Sequence, residues 1–208
     1  MMQINEVIRQ KKHLVKVRLA DGREIYLDSD FAAQNAIKAG DNVTEQKIDE
    51  WLRESDYVRA KSRALWFLDR ADHSEKTLYE KLTRADISPE ACARAIARLK
   101  ELGLLDDVRY ANRLAERLVE ANVSKREAYV KMLAKGLPRD IVNAALEDIE
   151  TDEAAQIGAL ISKKYRTKLE NPENIPKVYA ALVRKGFSYS AVREALKRYS
   201  EELENYDV

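Results

Sequence analysis

Three arginines, Arg109, Arg113 and Arg117, recur at every fourth position, a spacing that lines them along one face of a helix. Lys163, Lys164, Arg166 and Lys168 crowd the end of a second helix, and Arg184 with Lys185 stands at the turn before the last one. Lys and Arg contacts to phosphate would give salt-sensitive binding to single- or double-stranded DNA without sequence preference. An acidic protein face would satisfy the same groups. Taken one at a time, each is a solvated surface cation. The segment Asp152–Arg198 carries ten basic residues against five acidic ones, and the closing "YSEELENYDV" carries four acids and no base. That acidic end either shields the basic region or is a loose terminus.

Other chemistry finds no constellation. Cys92 lies on the apolar stripe Cys92–Ala95–Ile96–Leu99, which reads as a packed thiol rather than a nucleophile. His13 falls in a predicted strand and His73 just before a helix cap, neither with partners at metal-ligand spacing. No glycine-rich phosphate loop is present. The expectation is no catalytic residue, no cofactor, no metal and no enzyme. Trp51 and Trp66 read first as core or rim residues of their helices. One cysteine allows no internal disulfide, and no apolar run or signal suggests a membrane, so a soluble, reduced, cytoplasmic protein is expected. Basic and acidic residues number 37 and 36, so any basic surface must be local. A charged fraction of 35% with 7% aromatics suits amphipathic helices.

The elements that must position these residues differ along the chain. Over Ile4–Leu27, "INEVIRQ", "HLVKVRL" and "EIYLD" alternate apolar and polar, and Asp21-Gly22 separates the last two, which predicts a three-stranded meander. "FAAQNAIKAG" predicts a short helix ended by Gly40. Thr44 reads as the cap of a lead helix, stapled by Val43 and Ile48.

From Ser55 the pattern is helical and repeats every fifty residues. Ser74, Ser124 and Asn174 align, as do Tyr79, Tyr129 and Tyr179, so these tyrosines read as fold residues. Leu82, Met132 and Leu182 follow, then Cys92, Val142 and Val192. Each unit contains three helices. The first runs over Asp56–Arg70, Asp107–Ala121 and Asp152–Tyr165, the second starts at the aligned serines and asparagine, and the third starts near Ser88, Pro138 and Ser188. Ser124 with Glu127 has the spacing of a capping box. Gly136 and Gly186 supply left-handed stops, where the first unit has Asp86. The chain divides into a meander with short helix (1–43), a lead helix and first three-helix repeat (44–105), a second repeat (106–150), a third (151–200) and an acidic tail (201–208). Between the first two repeats, Gly103 ends one helix and Asp106 caps the next, with Leu104 and Leu105 expected as an apolar plug that stiffens the junction. "DIETDEAA", at the second junction, lacks both features and is expected to be more flexible.

"ALWFLDRADHSEKTLYEKL", "IARLKELGLLDDVRYANRLAERL" and "AKGLPRDIVNAAL" resemble the RecX family, the regulators of the RecA recombinase, with "LGLLDDVRYA" the most specific element. The resemblance implies a mainly α fold of three tandem three-helix repeats forming an elongated, curved body. It implies a non-enzymatic protein that binds RecA and its nucleoprotein filament and hinders filament growth, ATP hydrolysis and strand exchange. Nothing in the sequence suggests an obligate dimer, so a monomer is expected. Asp86 in place of a glycine and the loop "RTKLENPENIP" depart from the family pattern. The alternative from another class is a helix-turn-helix-like DNA binder, since the second and third helices of each unit meet at a short turn. Glu90 and Asp140, at the ends that would face bases, count against it.

Overall fold

The computed structural model describes residues 1–11 and 13–206, of which 201–206 by their backbone alone. The chain forms two compact units, dividing at Asp106 and Asp107. Among the described residues the fold is mainly helical, with a small antiparallel sheet at the start.

Strands β1 (Met2–Arg9), β2 (Leu14–Leu19) and β3 (Glu24–Asp28) form the expected meander. Gly22 takes φ +88° in the second turn, a conformation open to glycine without a Cβ clash. A fourth strand, β4 (Asn42–Val43), was not legible in the pattern. It pairs with the free edge of β1 through Met2–Val43 and Gln3–Asn42, giving the order β3-β2-β1-β4. Two extended residues are too few to show an alternation, so only the tertiary pairing reveals them.

Helix α1 (Ser29–Gln34) is shorter than expected and ends well before Gly40. Asn35 caps it and Ala36 turns to φ +51°, returning its neighbour Ile37 to the Ala32 carbonyl at 3.1 Å. The Asp28 carboxylate accepts from the Asp30 and Phe31 amides at the other end.

The expected lead helix and first repeat helix are one element, α2 (Glu45–Leu68), because no glycine or proline interrupts them. Thr44 caps it, accepting from the Lys47 amide at 3.2 Å, between the buried Val43 and Ile48. Its first half, with Ile48 and Trp51, closes the core of the sheet. Its second half, with Ala60 and Ala64, packs on α3 (Glu75–Thr83) and α4 (Pro89–Glu101). The Asp28 amide donates to the buried Ser55 hydroxyl at 2.7 Å, tying the sheet to the middle of α2.

The second unit holds α5 (Asp107–Glu120), α6 (Lys125–Ala134) and α7 (Arg139–Glu147) around one core. A further core joins α8 (Glu153–Leu160), a π-helical turn (Ile161–Tyr165), α9 (Arg166–Leu169), α10 (Ile175–Arg184) and α11 (Tyr189–Tyr206). A single 3₁₀ turn, Pro172–Asn174, leads into α10. The expected acidic tail continues α11 through Tyr206, and its last two residues lie outside the described ones.

The repeat shows in the stops. Asp86, Gly136 and Gly186 occupy equivalent turns at φ +58°, +79° and +92°. The caps vary more. Ser74 forms a reciprocal capping box with Thr77. Ser124 accepts from the Glu127 amide at 3.2 Å, but the Glu127 carboxylate goes to Lys131 at 2.8 Å instead of returning to Ser124. The expected box is therefore half made, because a cation one turn on competes for the carboxylate.

Candidate functional site

Arg109, Arg113 and Arg117 lie on the exposed side of α5, opposite the buried Tyr110, Ala111 and Ala115. The side chains are not independent of the backbone: the Arg117 Nε donates to the Arg113 carbonyl at 3.3 Å.

The cluster Lys163, Lys164, Arg166 and Lys168 is built differently. Ile157, Ile161, Tyr165 and Leu169 are buried at intervals of four. A regular α-helix of 3.6 residues per turn carries such a row steadily around its axis. The π turn over Ile161–Tyr165 turns less per residue and brings the row back to one face. The four cations project on the other side, all exposed, with no carboxylate in ion-pair distance among the described residues. The sequence showed this cluster as cations at a helix end. It did not show the π turn, whose only trace is the strict four-residue spacing of the buried row.

Arg184 is exposed at the end of α10. Lys185 is drawn elsewhere: its ammonium lies 3.6 Å from Glu127, and its carbonyl accepts from the Ser124 hydroxyl. Hydrogen bonding to Lys131 in the first place, and the charge of Lys185 after it, hold the Glu127 carboxyl below its ordinary range. Lys185 thus serves the packing of α6 against the α10–α11 turn.

The leucine pair also separates. Leu105 is 4% exposed and belongs to the core of α2, α3 and α4, whereas Leu104 is 49% exposed. Both amides return to the Leu99 carbonyl, at 2.9 and 3.2 Å, after Gly103 has turned to φ +66°. That tight reversal can bury only one of two consecutive side chains, so the double plug is corrected to a single one. Asp106 follows it and immediately precedes α5.

Cys92 is buried in the same core, and burial pushes its thiol up. His73 stands edge-on to Phe67 with ring centroids 5.9 Å apart. Trp51 is in the core, but Trp66 is not: it is 43% exposed. Among the described residues no group of His, Cys, Asp and Glu could hold a metal, and no helix is long and apolar enough to cross a membrane.

Comparison with known proteins points to one family. Residues 60–99 match the model of the first three-helix domain of RecX, and residues 150–196 that of its third three-helix domain. The chain is similar to the RecX family at both of these modules. It is 27% identical to the regulatory protein RecX of Clostridioides difficile (strain 630), over 99% of both chains. It is 26% identical to that of Streptococcus gordonii, covering 96% of this chain and 79% of the relative. A crystal structure of regulatory protein RecX shares the fold, with a TM-score of 0.66 over 95% of this chain and 100% of the other, at 22% identity. These relatives are named regulatory proteins, which supports a regulatory role, and the matched residues take in the end of α2 with α3 and α4, and α8 through the first part of α11.

Proposed function

We propose that this chain regulates the RecA recombinase by binding its nucleoprotein filament, hindering filament extension, ATP hydrolysis and strand exchange, and so tuning DNA repair and recombination. The observation that carries this reading is the end-to-end match to a protein named as a RecX regulator, covering 99% of both chains. Three features of the chain support it. Each module closes its own core, with charged side chains on its solvent-exposed side. Several modest contacts spread over tandem modules add up as one multivalent clamp. The exposed cations Lys163, Lys164, Arg166 and Lys168, together with Arg184 and the α5 row Arg109, Arg113 and Arg117, offer charge for DNA phosphate or for an acidic recombinase face. The site of action is the cytoplasm, and the protein works as a monomer without cofactor.

The test is ATP hydrolysis by RecA on single-stranded DNA, titrated with the chain below stoichiometry. Inhibition together with RecA-dependent co-sedimentation is expected. Absence of both inhibition and co-sedimentation would refute the reading. Charge reversal of Lys163, Lys164, Arg166 and Lys168 is expected to raise the inhibitory concentration while leaving the helical circular dichroism unchanged.

A further inference from the structure

Trp66 stands two residues before the end of α2 with nearly half its surface in water, while its neighbour Phe67 packs against the core. An exposed tryptophan forgoes a large burial term. Here it is also dressed with cations. Arg63 sits three residues before it on the same helix face, and Arg70 stands in the turn just past the end of the helix. The Arg70 guanidinium carbon lies 3.8 Å from the Trp66 ring centroid and that of Arg63 lies 4.9 Å away. The Arg70 Nη1 also donates to the Trp66 carbonyl at 3.0 Å, which pins it in place.

Phe67 extends the arrangement. It meets Trp66 edge-on at 5.1 Å, and Arg63 and Lys81 lie 5.3 and 4.9 Å from its centroid. Arg63 and Lys81 have no carboxylate in ion-pair distance among the described residues. Arg70 has a long, exposed contact to Asp69 at 3.8 Å. Arg70 covers one face of the ring, so three cations and a still half-exposed indole share a patch in which Asp69 is the one acid within ion-pair distance of them among the described residues.

We infer that the Trp66 face at the end of α2 is a stacking platform for a base of single-stranded nucleic acid, with Arg63, Arg70 and Lys81 facing its phosphates. The occupant follows from the two chemistries that the patch combines. Stacking on an indole needs a flat, unstacked π surface, which a duplex hides within its own stack. The surrounding cations need a polyanion, which a single strand supplies at every nucleotide. A duplex would meet the cations and leave the indole unused. This binding needs no recombinase and stands or falls apart from the proposed regulation.

The test uses the full chain alone with labelled dT20, an abasic strand of the same length, and a duplex. Binding of dT20 is expected to quench indole emission, and Trp66→Ala to weaken dT20 binding about tenfold, the order that one stacked base carries. The same variant should leave the abasic strand unaffected, and Trp66→Phe should recover most of the loss. Arg63→Glu should weaken both strands. Circular dichroism checks that each variant is folded, which the exposure of Trp66 and Arg63 favours. An unchanged dT20 affinity in Trp66→Ala overturns the inference, as does equal affinity of the unaltered chain for dT20 and the abasic strand. A Trp66-dependent emission change with purified RecA but none with dT20 also overturns it and makes the face a protein contact.

Discussion

The second and third modules answer the same fifty-residue spacing with different packing. In the second, the first helix presents Ala111 and Ala115 to the core, both fully buried and both small. In the third, the matching face carries Ile157, Ile161, Tyr165 and Leu169, and a π turn keeps them aligned. Small residues let a straight helix approach closely. Bulky ones at four-residue spacing need the helix to be locally unwound, and the cations of the unwound segment are then spread on the outer side. The difference teaches that a repeat can hold its length and its stops while one unit is rebuilt inside.

The largest test of that contrast is a volume exchange. Ile161→Ala should cost about 2–5 kcal/mol, because the surrounding bulky residues cannot collapse onto the gap. Ala115→Ile should cost about 1–3 kcal/mol through overpacking of the tight helix contact. Urea unfolding followed by circular dichroism measures both, and equal tolerance of the two changes would remove the distinction between the modules.

A smaller effect is expected at the stops. A Cβ on Gly186 would meet the Ser124 hydroxyl at 2.7 Å and the Arg126 Cβ at 2.8 Å, at φ +92°. A Cβ on Gly103 meets nothing within 4 Å. Gly186→Ala should therefore cost about 2–3 kcal/mol and Gly103→Ala about 1–2 kcal/mol, the left-handed backbone alone. Thermal melts of the two variants should order accordingly, and a reversed order would show that the close approach of Gly186 to α6 is not felt.

Ser124→Ala comes next, at about 1–2 kcal/mol, since it removes the cap on the Glu127 amide and the donor to the Lys185 carbonyl. Ser124→Thr, which keeps the hydroxyl, should cost less in the same melts.

The smallest effect is a pH dependence. The Glu127 carboxyl is depressed below the ordinary 4.5 by its bond to Lys131 and the nearby Lys185. A depressed carboxyl stabilises the fold above its unfolded value, and that contribution is lost as pH falls through the folded one. The loss should therefore appear only below about pH 4.5 and stay under about 1 kcal/mol for so accessible a pair. Glu127→Gln should flatten the stability profile in that window and leave neutral pH little changed.

The legible parts share a cause. The meander, the repeat, the positive-φ stops and the exposed face of α5 each follow from residue type at a local spacing, and each is where the pattern placed it. The errors sit where a neighbour decides. Glu127 abandons the capping box because Lys131 and Lys185 compete for it. Leu104 is left outside because the turn after Gly103 admits one leucine. Between core and rim, which the sequence left open, Trp66 takes the rim, while Phe67, one residue on, packs against that core.

By itself the sequence determined the mainly helical class, the small leading sheet and the register of the repeat, because periodicity, caps and stops are properties of consecutive residues. Tertiary structure alone decided that α2 serves two cores, that β4 pairs with β1, and that a π turn carries the Lys163–Lys168 cations. It also decided that Lys185 meets Glu127, whereas Lys163, Lys164, Arg166 and Lys168 have no carboxylate in ion-pair distance among the described residues. Those outcomes depend on which side chains from distant positions arrive at the same place, and burial and charge pairing are settled only there.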